Sequence, residues 1–193
     1  RGAVLTRFFA VAAFLLACVI GANPSRAQIF EPKTFELANG LQVVVIENRR
    51  APIVTQMVWY KAGAADEVQG VSGIAHFLEH LMFKGTTNLA PGEFNRIVAR
   101  YGGRDNAFTG HDYTAYFQSV SRDRLEAMMR IEADRMANLT LAEREVLSER
   151  DVVLEERRQV VDQRPSSRMR EQMAAALFAN HPYGRPIIGW EHE

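Results

Sequence analysis

The order of the hydrophobic patterns constrains the fold of this chain more than any other feature, because strand-type alternation comes first and helix-type spacing follows. Residues 33–37 and 41–46 flank an Ala-Asn-Gly turn, and Asn-Gly is the strongest short-range signal for a β-hairpin. Residues 53–61 are rich in the β-branched and aromatic side chains that favour strands. We therefore predict a hairpin followed by a third strand.

Helix-type spacing dominates from residue 74 onward. Residues 74–84 predict a helix that Gly85 ends, with Ser72 as its candidate N-cap. Thr140 and Glu143 form a capping-box signature at the start of a long helix. The other predicted elements are a short helix starting at Pro91, one or two strands within 106–120, and helices over 122–138, 140–163 and 166–178. Strands followed by helices predict an α+β domain.

Composition excludes several classes of protein. Of the 193 residues, 47% are hydrophobic and 24% are charged, a balance typical of globular proteins and not of disordered or collagen-like chains. Lys and Arg together number 23, as do Asp and Glu, so the net charge is zero and no nucleic-acid partner is expected. The single cysteine, Cys18, excludes a disulfide within the chain.

The first 27 residues differ in kind from the rest of the chain. They contain no acidic residue, and residues 8–21 form an apolar or small run shorter than the ~20 residues that a membrane-spanning helix needs. Small residues also occupy the −3 and −1 positions of a cut after Ala27. These features predict a signal peptide over 1–27, a mature domain over 28–193, and export to a bacterial periplasm. An uncleaved membrane anchor, a core helix and lipid attachment at Cys18 are the alternatives.

The segment His76-Phe77-Leu78-Glu79-His80 concentrates the chemistry of the chain. On a helix, residues four apart lie about 40° apart around the axis and one turn along it, so both imidazoles can reach the same metal ion. Glu79 lies beside them, close enough to accept a proton from a water on that metal. Two neutral imidazoles and a carboxylate suit zinc, which leaves its fourth position open. The simpler alternative is a pair of surface or core histidines that bind no metal.

A zinc site of this kind needs one more ligand from elsewhere in the chain. His111 lies in a Gly-His-Asp turn signal, His181 precedes a proline, and His192 is close to the last residue, so each is a weak candidate. The predicted helix over 140–163 offers three glutamates that could instead form a solvated face: Glu149, Glu155 and Glu156.

Helical geometry separates these glutamates. At about 100° per residue, the apolar positions of the long helix form one stripe, and Glu149 and Glu156 both lie at one edge of it, two turns apart. Glu155 lies on the opposite side, where a solvated carboxylate is expected. A ligand must face the histidine helix through the packed side or its border. Glu149 and Glu156 therefore both remain candidates, and Glu155 does not.

Three further segments of the chain accompany the HxxEH order, which is the inverted zinc motif. They are Ser-Glu-Arg-Asp-Val-Val-Leu-Glu-Glu at 148–156, Gly-Gly-Arg-Asp-Asn-Ala-Phe-Thr at 102–109 and His-Pro-Tyr-Gly-Arg-Pro at 181–186. Together these motifs closely resemble those of the pitrilysin (insulinase) family of zinc metallopeptidases, which includes the β subunit of the mitochondrial processing peptidase. The resemblance covers essentially all of residues 30–193, and it is strongest to exported bacterial members.

The resemblance implies a role for each matching residue. His76, His80 and Glu156 would bind one Zn²⁺ ion, and Glu79 would be the general base that activates the zinc-bound water. Glu149 would be a nearby carboxylate that tunes the site. The edge strand to which a peptide substrate adds as a further strand would consist of Asn106, Ala107, Phe108 and Thr109.

The resemblance also implies a fold and an activity. The fold would be an antiparallel sheet covered on one face by helices, as in one half of the family's clamshell. The activity would be zinc-dependent hydrolysis of peptide bonds in extended peptides or unfolded proteins, because an edge strand binds backbone.

We expect the chain to be the N-terminal part of a catalytic domain, since it starts at Arg1 and shows no evident end signal. The second half, which carries a substrate-binding Arg/Tyr pair in this family, would lie on a missing C-terminal half or on a separate partner chain, and a dimer is one such form. The alternative function is a non-catalytic structural or partner subunit of a two-chain peptidase of this family.

Overall fold

The computed structural model describes residues 31–193. The predicted signal peptide over 1–27 and the candidate lipid-attachment residue Cys18 lie outside the described residues. The chain divides into two compact units, with the boundary between Ala51 and Pro52, and each unit has its own antiparallel β-sheet. Within 31–193, no helix has both the length and the apolar character needed to cross a bilayer.

The first unit contains the predicted hairpin. β1 (Lys33–Glu36) pairs with β2 (Gln42–Val45) in an antiparallel register. Gly40 in the connecting turn has φ +84°, a left-handed conformation that glycine adopts without steric cost. The Asn-Gly signal therefore predicted the position of the turn correctly.

The second unit is built on a three-stranded antiparallel sheet. Its strands are β3 (Ile53–Tyr60), β4 (Arg104–Thr109) and β5 (Thr114–Ser121), and β5 lies between the other two. Along β3, exposed residues alternate with half-buried ones. This alternation is expected of a strand with only one packed face.

The second unit also contains the helices α1 (Ile74–Leu81), α2 (Glu93–Arg100), α3 (Leu125–Asn138), α4 (Glu143–Arg157) and α5 (Pro165–Leu177). α1, α2 and α3 contact the sheet, and α4 packs on α1. Val98 and Met128 are fully buried between sheet and helices, with Phe94 and Val120 beside them. The predicted α+β fold, an antiparallel sheet covered on one face by helices, is confirmed.

The start of α1 is fixed by a residue that the sequence does not indicate. The prediction of Ser72 as the N-cap is wrong, because the helix begins after Gly73 and the Ser72 hydroxyl accepts a hydrogen bond from a distant backbone N–H. The buried Glu67 carboxylate accepts from the N–H groups of Gly73, at 3.0 Å, and Ala75, at 2.8 Å. A carboxylate at this position satisfies free N–H groups and faces the positive end of the helix dipole.

The capping box predicted at Thr140 is also wrong. α4 begins only at Glu143, and no side chain caps it. The Thr140 N–H instead donates to the Gly85 carbonyl at 3.2 Å, so this residue belongs to the connection that packs on the end of α1. At its other end α4 continues through one π-helical segment, Arg158–Asp162. The predicted helix over 140–163 is therefore right in position but starts three residues too early.

Candidate metal centre

Two packed helices bring the histidines of the HxxEH motif to a glutamate from far along the chain. His76 and His80 lie one turn apart on α1, with ring centroids 4.7 Å apart. Glu156 lies on α4, and its Oε2 is 3.3 Å from Nε2 of His80 and 3.7 Å from Nε2 of His76. One ligand atom from each of the three residues lies within 4.8 Å of the other two.

The spacing and chemistry of these atoms suit a zinc ion. Zinc bonds of about 2.0–2.1 Å in a tetrahedral site separate neighbouring ligand atoms by about 3.3–3.4 Å. The observed 3.3 and 3.7 Å are close to that value. Oε2 of Glu156 is buried and has no hydrogen-bond partner among the described residues. A buried carboxylate oxygen that faces imidazole lone pairs is unfavourable unless a cation or a proton lies between them.

Burial keeps one of the two imidazoles in the form that binds metals. Desolvation lowers the pKa of His76, Glu156 opposes this shift, and the neighbouring His80 adds to it. A histidine with a lowered pKa is neutral near pH 7, and neutral imidazole is the ligand form. The His76 side chain is 13% exposed, so it is removed from most solvent without being sealed off.

A second carboxylate of α4 holds the His80 ring from its other side. Glu149 is buried, and its Oε1 lies 2.9 Å from Nδ1 of His80. Because a carboxylate accepts hydrogen bonds, the Nδ1–H of His80 donates, and Nε2 keeps its lone pair toward Glu156. The other oxygen of Glu149 forms an ion pair with Lys84.

Glu79 is held by a hydrogen bond from the sheet. Thr109, the last residue of β4, donates its hydroxyl to Oε2 of Glu79 at 2.5 Å. Burial raises the pKa of Glu79, the Thr109 hydrogen bond and the electrostatic interaction with His80 lower it, and the charge of Glu156 raises it. The net result is a raised pKa. A carboxyl group with a pKa closer to neutrality is a better proton acceptor for catalysis.

The weaker histidine candidates lie elsewhere. His111 stacks on Tyr183 with ring centroids 4.6 Å apart, and His181 meets the same ring edge-on. His192 stacks against Trp190. In residues 31–193, the cluster on α1 and α4 is the one group of three or more side chains placed to hold a metal.

Glu155 and Glu156 are adjacent but have different surroundings. The Glu155 side chain is 51% exposed and accepts hydrogen bonds from Arg158 and Gln159 on its own helix. These hydrogen bonds lower the pKa of Glu155, Gln159 contributing most. The structure therefore places Glu155 in solvent, as helical geometry predicts, and it places Glu156 against the histidines.

β4 carries the residues that were predicted to bind substrate. Within the described residues β4 pairs only with β5, so its other side is a free edge. Ala107 is buried under the helices and Thr109 reaches Glu79, whereas Asn106 and Phe108 lie on the exposed face. The free edge thus ends at the residue that contacts Glu79.

Two contacts at the site were not predicted from the sequence. Lys84 lies four residues after His80, so helical spacing alone could have placed it on the same face. The hydrogen bond between Thr109 and Glu79 joins a strand to a helix, and no local pattern in the sequence indicates it.

Comparison with known proteins identifies the family. The family model described as insulinase, peptidase family M16, matches residues 42–191. The chain belongs to this family. The resemblance inferred from the separate motifs is thereby confirmed.

Relatives within the insulinase family are named as peptidases. A zinc protease of Helicobacter pylori, PqqE, is 42% identical over 180 residues, which cover 91% of this chain and 40% of the relative. The probable mitochondrial-processing peptidase subunit beta of Arabidopsis thaliana is 33% identical over 159 residues, which cover 82% of this chain and 30% of that protein. The chain thus spans about two fifths or less of the length of these relatives.

Solved structures agree with this assignment. A protease from Helicobacter pylori matches with a TM-score of 0.75 at 42% identity, over 83% of this chain and 39% of the other. Pitrilysin matches with a TM-score of 0.74 at 23% identity, over 86% of this chain and 18% of pitrilysin. The pitrilysin match supports the fold alone.

Proposed function

We propose that this protein is a zinc-dependent metallo-endopeptidase that hydrolyses peptide bonds in extended peptides or unfolded proteins. The observation that carries the proposal is the convergence of three ligand atoms, with Oε2 of Glu156 at 3.3 and 3.7 Å from the Nε2 atoms of His80 and His76. The names of the relatives, zinc protease and processing peptidase, support the same metal and the same reaction class.

His76, His80 and Glu156 would hold the zinc ion and leave a fourth direction open. When bound, zinc supplies a Lewis acid that makes water a stronger nucleophile near pH 7 and polarises a carbonyl group. Glu79 accepts the proton of the attacking water and passes it to the leaving amine. Thr109 orients the Glu79 carboxylate, and Glu149 orients the His80 ring.

The free edge of β4 supports a preference for extended substrates. A peptide that adds as a strand beside Asn106–Thr109 would be bound through its backbone. Such a peptide would pass close to Thr109, and Thr109 contacts Glu79, the proposed general base. Folded proteins have few unpaired strands to offer, so the edge favours peptides and unfolded chains.

The remaining parts of the proposal concern what lies beyond this chain. Relatives are more than twice as long, and one is named as a β subunit, so we propose that a second half closes over the substrate, on the same polypeptide or on a partner.

The apolar segment over 8–21 supports export to the periplasm. A non-catalytic subunit is the alternative, and the presence of Glu79 beside all three ligand residues argues against it.

The proposal is tested with purified protein that includes the second half. We expect one bound zinc per active site, loss of peptidase activity on exhaustive chelation, and recovery when zinc is returned. An unfolded protein should be cleaved faster than the same protein when folded. Zinc binding without turnover would favour the non-catalytic subunit, and full activity after complete metal removal would exclude the zinc mechanism.

A further inference from the structure

Lys84 is the charged group nearest to the hydrogen-bonded pair of Glu149 and His80. It follows the end of α1, where its backbone N–H donates to the Leu81 carbonyl at 2.9 Å. Its ammonium group forms an ion pair with Oε2 of Glu149, while Oε1 of the same carboxylate accepts from His80. The side chains of Lys84 and Glu149 are 25% and 7% exposed, so this contact is largely shielded from water.

The two carboxylates of α4 that face α1 are used differently. Both oxygens of Glu149 have partners on α1 or just after it, whereas Oε2 of Glu156 has no hydrogen-bond partner. A carboxylate anchored at both oxygens has a fixed plane, and it fixes the orientation of the imidazole that donates to it. The anchored carboxylate orients a ligand, and the unanchored carboxylate is free to be one.

We propose that Lys84 is a positioning residue for the metal centre. By holding the second oxygen of Glu149, Lys84 keeps that carboxylate on Nδ1 of His80 and thereby keeps Nε2 directed toward His76 and Glu156. Without the ammonium group, a buried carboxylate would be left with one partner, and its side chain would move toward water and release the ring. This inference rests on the proposed zinc site for its effect on metal binding, but not for its effect on the ring.

A simple charge effect would have the opposite sign. Lys84 carries a positive charge near the position of a divalent cation, so its removal would strengthen metal binding if electrostatic repulsion were its only influence. Loss of a positioning contact weakens metal binding instead, and outer contacts of this kind typically change metal affinity by about 10-fold to 100-fold. The sign of the change therefore distinguishes the two roles.

The chain offers a matched control for the loss of charge. Arg150 is adjacent to Glu149 on α4, but its side chain is 58% exposed and is paired with Asp151 at 3.1 Å. Arg150→Met removes one positive charge next to the same carboxylate without removing a contact to it. Lys84→Arg is the charge-retaining variant, since a guanidinium group keeps the positive charge and N–H donors at the end of a long side chain.

Zinc affinity is measured first, by competition with a chelator of known affinity, for the parent and the variants Lys84→Met, Lys84→Arg, Arg150→Met and Glu149→Gln. We expect about a 10-fold loss for Lys84→Met and for Glu149→Gln, and less than about a threefold change for the other two. The double variant of Lys84→Met with Glu149→Gln should be no weaker than the weaker single variant, because both act through one contact. Unchanged or tighter zinc binding by Lys84→Met would overturn the proposal.

The second measurement is independent of zinc. In the metal-free protein, the Nδ1–H proton of His80 should give a protected, slowly exchanging NMR signal in the parent and in Lys84→Arg. That signal should broaden or disappear in Lys84→Met. An unchanged signal in Lys84→Met would overturn the role of Lys84. If the parent bound no zinc but the signal were present in the parent and lost in Lys84→Met, only the proposed function would be overturned.

Discussion

The Arg135 cluster on α3 and the metal-site cluster on α1 and α4 both bury charge, but they differ in which atoms are left without partners. Arg135 and Glu132 are each 2% exposed, and one terminal nitrogen of Arg135 donates to the Glu132 oxygens at 2.8 and 2.6 Å. Gln118 of β5 donates to the same carboxylate at 3.0 Å. The carboxylate is therefore fully supplied by protein donors.

Aromatic rings complete the Arg135 cluster. The guanidinium carbon lies 4.4–5.1 Å from the centroids of three rings, which belong to Phe83, Phe94 and Tyr116. Two nitrogens of Arg135 have no hydrogen-bond acceptor, but a planar cation against ring faces gains cation–π stabilisation in its place. The positive charge is compensated within the fold, and nothing further needs to bind.

The metal-site cluster lacks this internal compensation. Oε2 of Glu156 and Nδ1 of His76 are buried without partners, while the Glu156 side chain as a whole is 37% exposed. Both clusters bury charge, so burial alone does not separate them. Both oxygens of Glu132 accept hydrogen bonds, whereas Oε2 of Glu156 has no donor among the described residues and its side chain is partly exposed.

The largest effect is expected at the general base. Glu79→Gln should lower kcat by about 10³-fold or more, because the nearly isosteric amide cannot accept a proton from water. Zinc content, measured by mass spectrometry, should equal that of the parent, since both histidines and Glu156 are retained. Peptide hydrolysis close to the parent rate would show that another residue is the base.

Disrupting the Arg135 cluster should lower the stability of the fold and leave metal binding unchanged. Arg135→Met leaves the buried Glu132 without its main partner and should lower the free energy of unfolding by about 3–5 kcal/mol, measured by denaturant titration. Arg130→Met is the control on the same helix, because its pair with Glu126 is exposed to solvent and its loss should change the free energy of unfolding far less. If folded Arg135→Met protein had lost its zinc, the separation of the two clusters would be wrong.

A third comparison concerns adjacent residues of α4. Glu156→Gln should weaken zinc binding by more than about 100-fold, because it replaces a charged ligand. That is more than is typical for residues that only contact a ligand, whose loss weakens binding by at most about 100-fold. Glu155→Gln should leave zinc binding nearly unchanged, since that carboxylate is in solvent. The two variants have the same composition and differ only in position, so equal effects would contradict the assigned ligand set.

The smallest expected effect concerns the link between β4 and the base. Thr109→Val removes a hydrogen bond to a charged group and should lower kcat about 10-fold, whereas Thr109→Ser should retain most activity. Because this hydrogen bond lowers the pKa of Glu79, its removal raises that pKa further, and the acid limb of kcat/KM should move to higher pH. A limb that moves to lower pH would show that Thr109 does not act on Glu79.

Local patterns in the sequence predicted most of the elements. The Asn-Gly turn, the strand over 53–61 and the helix of the HxxEH motif depend on neighbouring residues, and all three are present in the structure. The separation of Glu155 from Glu156 also follows from helical geometry alone. The choice between Glu149 and Glu156 does not, because both carboxylates lie on the same side of α4.

Long-range contacts account for what the sequence did not predict. Glu67 caps α1 from a preceding loop, although Ser72 is the better local candidate. The Thr140 N–H donates to the Gly85 carbonyl, so α4 starts later than its capping signature indicates. The ion pair between Lys84 and Glu149 forms only because α4 packs over the end of α1, which the spacing of Lys84 from His80 does not indicate. Each of these outcomes depends on how elements pack, which no local pattern contains.

We propose that one zinc ion binds between α1 and α4, and anomalous X-ray diffraction at the zinc absorption edge can locate it. We expect a single strong peak about 2 Å from Nε2 of His76, Nε2 of His80 and Oε2 of Glu156. The same measurement on Glu156→Gln crystals grown at equal zinc concentration should show a much weaker peak. A crystal of the parent protein soaked in zinc that shows no peak at this position, or a peak on Glu149 or Glu155, would exclude the proposed site.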